Sequence, residues 1–343
     1  MNQYSRLEQL FHHFILGSNT IQKISYEFEK AKYLADSQDK ANNPVFVMGL
    51  ARSGTTTLLR LLHSSGAFES ITYRDMPFVL MSRRWHDFAK TFHVHMEAIE
   101  RAHGDSILVD FDSPESFEAI FWRTFAKSNY VTDEVILQND PGQEALLEFK
   151  NYVALTANKS GTPKRYISKN NNNLIRLEPL SQFYKEGQFV VLWRDPLQTA
   201  FSSYKQHQHF CAAQSKDPFV LTYMNLISHY EFGLNHKPFK FEDSKTNAYK
   251  PADPNYWLSY WIDVHEQLLN CNLGSNLRLY SYEALCESPQ QELPRLFDQI
   301  NLNYSDEYAK QLRLSQSDDL PVFDLSLVKR AYEIASLLQE HSH

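Results

Sequence analysis

The stretch PVFVMGLARSGTTTLLRLL, residues 44–62, decides how the rest of the chain is read. Pro44 precedes a short apolar run ending at Gly49, the pattern of a buried parallel strand, and helical periodicity resumes from Thr55. Between them Gly49 and Gly54 keep the G-x-x-x-x-G spacing of a phosphate-binding loop, but Thr55 and Thr56 follow where a nucleoside triphosphatase has Lys and then Ser or Thr. A strand, a turn of small residues and a helix N-terminus still make an anion site, because main-chain N–H groups converge where the helix dipole is positive. Ser53, Thr55 and Thr56 add hydroxyls, and Arg52 is the local cation, with a planar fork that matches two phosphate oxygens. The same spacing also fits a tight turn whose Ser and Thr only cap the helix.

Working outward, RYISK (165–169), QFVVLW (188–193) and LRLYSY (277–282) have the same strand character, each followed by polar residues and a helical pattern. Strands alternating with helices predict an α/β fold, a P-loop-like three-layer sandwich with a mostly parallel sheet covered on both faces. Ligands of such sheets bind beyond the carboxyl ends of the strands, which singles out Arg52–Thr57, Lys169–Asn173 and Arg194–Ser203. The chain reads as one domain over 1–343. Leading helices occupy 1–43, with Leu7, Leu10, Phe11, Phe14 and Ile15 as a packed face; 44–68 and 161–302 form the nucleotide-binding core; 69–160 is a helical insertion contributing to an acceptor pocket; and 303–343 is a C-terminal helical segment.

Composition narrows the function classes. The 34 basic and 41 acidic residues give a net charge of -7 without any long Lys/Arg block, which argues against a general nucleic-acid binder. Cys211, Cys271 and Cys286 lack C-x-x-C spacing, so neither a disulfide framework nor a cysteine zinc site is supported. His93/His95 and His207/His209 have no carboxylate or Cys to complete a ligand set, so no metal is expected. No basic start with a long apolar run, and no window near the roughly 20 apolar residues of a membrane span, is present. The expectation is a soluble, cytoplasmic protein.

A second constellation lies in VVLWRDPLQTAFSSYKQH. Arg194 ends a strand, Asp195 and Pro196 open a helix, and Ser202 falls about two turns along it, where its hydroxyl can join Arg194 on a second phosphate. Read alone, RDP is an Arg-Asp pair bracing a helix start.

Together, GLARSGTTTLLRLL and FVVLWRDPLQTAFSSY resemble the two nucleotide segments of the sulfotransferase superfamily, in the R-S-G-T-T form of its tyrosylprotein and bacterial carbohydrate branch. RYISKNNNNLIRLEPLSQFYKEGQ and LRLYSYEALCESPQQELPRLFDQINL resemble that family's Lys-containing strand end and its late Y-E-x-L segment, so the resemblance runs from about residue 44 to 302. It implies transfer of a sulfuryl group from 3′-phosphoadenosine-5′-phosphosulfate (PAPS) to a hydroxyl, on a carbohydrate or glycolipid by branch, without metal. By the same resemblance Arg52, Ser53, Gly54, Thr55, Thr56 and Thr57 hold the 5′-phosphosulfate, Arg194 and Ser202 hold the 3′-phosphate, and Lys169 with Arg52 supplies catalytic charge.

The base is less defined. Asn171 stands where cytosolic members have His, and an amide cannot take a proton at neutral pH. Other branches place a Glu just after the first helix, where this chain offers Glu69 and Asp75; Asp75, beside Arg74 and before a Pro, is the better placed, and His103, Asp105 and Glu118 are rivals. Trp122, Tyr256, Trp257, Tyr260 and Trp261 have the helical spacing of core residues, though such rings also stack on sugars. A nucleotide or sugar kinase and a non-catalytic nucleotide-binding module are the alternatives; the missing Walker lysine counts against the first.

Overall fold

Alternate residues of the run at 45–48 enter different cores, which is why it reads as continuously apolar. Phe46 and Met48 pack into one cluster with Phe149, Tyr166 and Phe189. Val45 and Val47 pack into the other with Leu58, Leu62, Ile167 and Val190. A strand's side chains alternate faces, so a strand covered on both sides has no polar face to show. The chain is described from a computed structural model, which covers all residues except 1–5, 38–42, 92–98, 101–107, 127–128, 245–247, 272–273, 318 and 343.

Among these residues the strands are β1 (Val45–Gly49), β2 (Phe68–Glu69), β3 (Ile99–Glu100), β4 (Leu108–Val109), β5 (Ile136–Leu137), β6 (Arg165–Lys169), β7 (Gln188–Trp193), β8 (Phe239–Lys240) and β9 (Leu277–Ser281). Five form one sheet in the order β2-β6-β1-β7-β9, with every pairing parallel. The four expected strands are present, and β2 extends them as a two-residue edge too short to leave a periodic signal. β1 is central: Val47 lies opposite Lys169 of β6 on one side and Val190 of β7 on the other. Crossovers diverge from this strand in both directions, so the crevice at its carboxyl end is where this topology binds ligands.

Helices cover both faces. On the Phe46 side lie α1 (Arg6–Gly17), α2 (Asn19–Ser37) and the helices Gln143–Ala157, Pro254–Asn270 and Leu325–His341. On the Val45 side lie α3 (Thr55–His63) and the helix Pro289–Gln299. Between β2 and β6 stand the helices Ser82–Thr91, Ala119–Phe125 and Gln143–Ala157. Trp122, Tyr256, Trp257, Tyr260 and Trp261 all belong to the first core.

The leading segment is two helices, divided between Gly17 and Asn19, but most of the face taken as packed is turned outward: Leu7, Leu10 and Phe14 are 79 %, 66 % and 66 % exposed, while Ile15 is buried. His12, Ile15 and Leu16 are the residues α1 buries. Apolar side chains on α1 spread over more than one face, so periodicity alone could not choose the covered one. Among the described residues, no helix is long and apolar enough to cross a membrane.

Candidate active site

Gly49 and Gly54 are fixed by what surrounds them. A Cβ on Gly49 would lie 2.3 Å from the Leu192 carbonyl oxygen, and one on Gly54 would lie 2.2 Å from the Tyr282 ring. Gly54 also sits at φ +88° as the N-cap of α3, a left-handed conformation that favours glycine. Arg52 adopts φ +76°, which is unusual for a residue with a side chain and typical of sites that hold backbone strain for function. The loop therefore turns sharply from β1 into α3, whose first-turn amides lack intrahelical acceptors.

Beyond the carboxyl ends of β1, β6 and β7 a cavity of about 920 Å³ opens. Arg52, Gly54, Thr55, Thr56 and Thr57 line it from the loop, Lys169 and Asn171 from the end of β6, and Arg194 and Ser202 from the end of β7 and the helix after it. Residues scattered over 150 positions of sequence thus meet on one wall: Arg52 Nε donates to Ser202 Oγ at 3.0 Å. Thr55 Oγ1 reaches Asn171 Oδ1 at 3.4 Å.

Ser53 is placed differently from its neighbours. It is buried, its hydroxyl donates to the Leu50 carbonyl at 2.7 Å, and its N–H goes to the same oxygen. It shapes the loop, and its hydroxyl is committed to the turn.

Arg194 is braced from several directions. Its Nη1 points to the Arg52 carbonyl at 3.4 Å, its Nη2 donates to the Ser315 carbonyl, and its Nε lies 3.4 Å from Glu283 Oε1. Glu283 also accepts from the Asp195 amide at 3.1 Å, and burial raises its carboxyl group despite that hydrogen bond and Arg194. Asp195 caps the helix Pro196–Lys216 through Gln198 N at 2.8 Å, with Pro196 in its first turn. The late segment joins the site through Tyr282, whose hydroxyl donates to the Arg313 carbonyl at 3.1 Å beside the cavity wall.

Sequence reasoning missed much of the lining. Lys205, Gln206 and His209 continue the stripe that Ser202 begins on its helix, a spacing of three and four that was visible in the sequence. Arg60 lies in the opening motif but was not singled out, and Arg313, His229 and Glu231 come from segments with no motif to mark them. Among the described residues, Arg52, Arg60, Lys169, Arg194, Lys205 and Arg313 face the cavity against one lining carboxylate, Glu231. In a chain of net charge -7 this is a local concentration of positive charge, suited to a ligand carrying several negative charges.

The carboxylates expected as bases lie elsewhere. Asp75 is fully buried and does not line the cavity; its Oδ2 is 2.5 Å from Lys159 Nζ and accepts from the Thr72 amide at 2.8 Å. Glu69 is also buried, 3.8 Å from the same ammonium, with its carboxyl group raised by burial against the pull of Lys159. Glu118 is a structural hub: its carboxylate accepts from Trp122 Nε1, Tyr166 Oη, Ser168 Oγ, Asn170 Nδ2 and Asn173 Nδ2. His103 and Asp105 lie outside the described residues, as do His93 and His95. Among the described residues no group of His, Cys, Asp or Glu is arranged to hold a metal ion.

Comparison with known proteins gives this geometry a context. A sequence profile of the sulfotransferase family matches residues 44–235. Sulfotransferase STF9 from Mycobacterium avium superposes with a TM-score of 0.52 at 14 % identity, covering 96 % of this chain and 85 % of that one. Sulfotransferase STF1 from Mycobacterium tuberculosis superposes with a TM-score of 0.50 at 15 % identity, again over 96 % of this chain and 85 % of that one. Against curated protein sequences the chain has no significant match.

Proposed function

The chain belongs to the sulfotransferase family, and from that premise we propose that the cavity takes PAPS and passes its sulfuryl group to a hydroxyl on a carbohydrate or glycolipid. The observation that carries the reading is the meeting of two anion sites in one cation-rich cavity: the loop Arg52–Thr57 at the start of α3, and Arg194 with Ser202 beside it. PAPS carries two anionic groups separated by a ribose, and a donor of that shape needs both.

The residues divide the work by position. The first-turn amides of α3, with the Thr55, Thr56 and Thr57 hydroxyls, receive the 5′-phosphosulfate, and Arg194 and Ser202 receive the 3′-phosphate. Arg52 stands between the two. Lys169, at the end of the strand beside β1, supplies charge where the leaving phosphate develops it. Sulfuryl transfer is an in-line displacement, so holding donor and acceptor in line within one cavity contributes much of the acceleration. Further polar side chains in the lining, Gln206, His209 and Gln311, favour a hydroxyl-rich acceptor over an apolar one. Three unpaired cysteines are consistent with a reducing, cytoplasmic setting.

Calorimetry with 3′-phosphoadenosine-5′-phosphate (PAP), ADP and ATP tests the donor. PAP should bind without added metal, and Arg194→Ala should weaken PAP far more than ADP, which lacks the 3′-phosphate. Equal affinity for PAP and ADP, or binding of ATP only with magnesium, would overturn the reading.

A further inference from the structure

His103 and Asp105 lie outside the described residues, and the carboxylates Asp75, Glu69 and Glu118 all lie off the cavity. His229 lines it, three residues beyond the helix Pro218–Leu226. Its imidazole is buried, and Nε2 lies 3.2 Å from the main-chain carbonyl oxygen of Ser116. A carbonyl oxygen can only accept, so in the neutral ring the proton sits on Nε2 and Nδ1 carries an open lone pair.

The position is also fixed along the chain. Asn172 Nδ2 donates to the Ser228 carbonyl at 3.3 Å, which holds this segment against the turn that follows Lys169. Ser116 lies two residues before Glu118, which anchors that same turn through Asn170 and Asn173. An imidazole of set tautomer therefore enters the cavity beside Asn171, the amide that cannot serve as a base.

We propose that His229 Nδ1 is the general base of sulfuryl transfer, an assignment that rests on the PAPS reading above. The acceptor hydroxyl gives its proton to Nδ1 as its oxygen bonds to the sulfur, and the bond from sulfur to the bridging 5′-phosphate oxygen breaks, releasing PAP. Glu231 is the rival. It lines both the main cavity and a small adjoining one that Phe232, Trp257 and Tyr260 also line.

The test uses the full chain with His229→Gln, whose amide can still reach the Ser116 carbonyl, and with Glu231→Gln. PAP release from PAPS is followed with octyl β-D-glucoside and with water as acceptors, alongside PAP affinity by calorimetry. His229→Gln should bind PAP within about twofold of wild type while its turnover falls about 100-fold or more, the scale of a lost general base, and Glu231→Gln should keep most of its rate. Nitrogen-15 spectra of histidine-labelled protein, with His229 assigned by its absence in the variant, should show the proton on Nε2. A proton on Nδ1, unchanged turnover in His229→Gln, or a loss that follows Glu231→Gln instead would overturn the assignment. Failure of wild type to bind PAP would sink the donor reading, while the spectrum still decides the tautomer.

Discussion

Arg52 Nε donates to the Ser202 hydroxyl at 3.0 Å, joining the loop after β1 to the helix after β7. The two proposed phosphate sites thus share a boundary, and one side chain can respond to both. Ser202→Ala should raise the PAP dissociation constant about tenfold, as expected for losing a hydrogen bond to a charged group, and leave ADP within about twofold. Titration calorimetry with both nucleotides reads the difference; an equal loss for ADP would assign Ser202 to the 5′ side.

Gly54 and Gly66 offer an internal comparison, because both have positive φ, +88° and +75°. A Cβ on Gly66 meets nothing within 4 Å, whereas one on Gly54 overlaps the Tyr282 ring. Gly66→Ala should cost only the backbone strain, about 1–2 kcal/mol in denaturant unfolding. Gly54→Ala should cost more and abolish PAP binding, since either the loop or Tyr282 has to move. Similar penalties for the two would show that sterics at Tyr282 do not constrain the loop.

Asp75 and Lys159 form a buried ion pair that ties the segment after β2 to the end of the helix Gln143–Ala157. Asp75→Asn should lower unfolding stability by about 3 kcal/mol, the cost of leaving a buried charge unpaired. The rate per molecule able to bind PAP should hold. A variant of full stability that binds PAP but transfers no sulfuryl would instead restore Asp75 as the base.

Glu29 gives the fold a pH dependence away from the site. It is buried, accepts from the Arg83 and Arg84 amides at 2.7 and 3.3 Å, and is pushed up to about 7 by burial, with those amides and the two guanidinium groups opposing. The folded state therefore holds a proton that the unfolded chain has already released, and stability falls as pH rises from about 4.5 to 7. The full effect is at most roughly 3 kcal/mol. Glu29→Gln keeps an acceptor without the charge, so it should gain on wild type in thermal midpoint as pH rises through that window. Parallel curves for the two proteins would refute this.

That Arg52, Lys169, Arg194 and Ser202 would meet at one cavity was legible because they sit at fixed offsets from strand ends: Arg52 from β1, Lys169 at the end of β6, Arg194 and Ser202 from β7. That His229, Glu231 and Arg313 would join them was not, because they are brought in by tertiary packing from loops without spacing rules. Asp75 misled for a related reason. Its neighbour in sequence, Arg74, pairs with Asp112 at 2.7 Å, while its own partner, Lys159, lies 84 residues away. For α1 the apolar pattern marked the helix correctly but could not say which side would be covered.

The four asparagines that follow Lys169 are four separate parts. Asn170 and Asn173 are fastened to Glu118, Asn172 to the Ser228 carbonyl, and Asn171 alone of the four lines the cavity. A substitution at Asn171 therefore alters the cavity wall beside Thr55, whereas one at the other three loosens the turn that carries that wall.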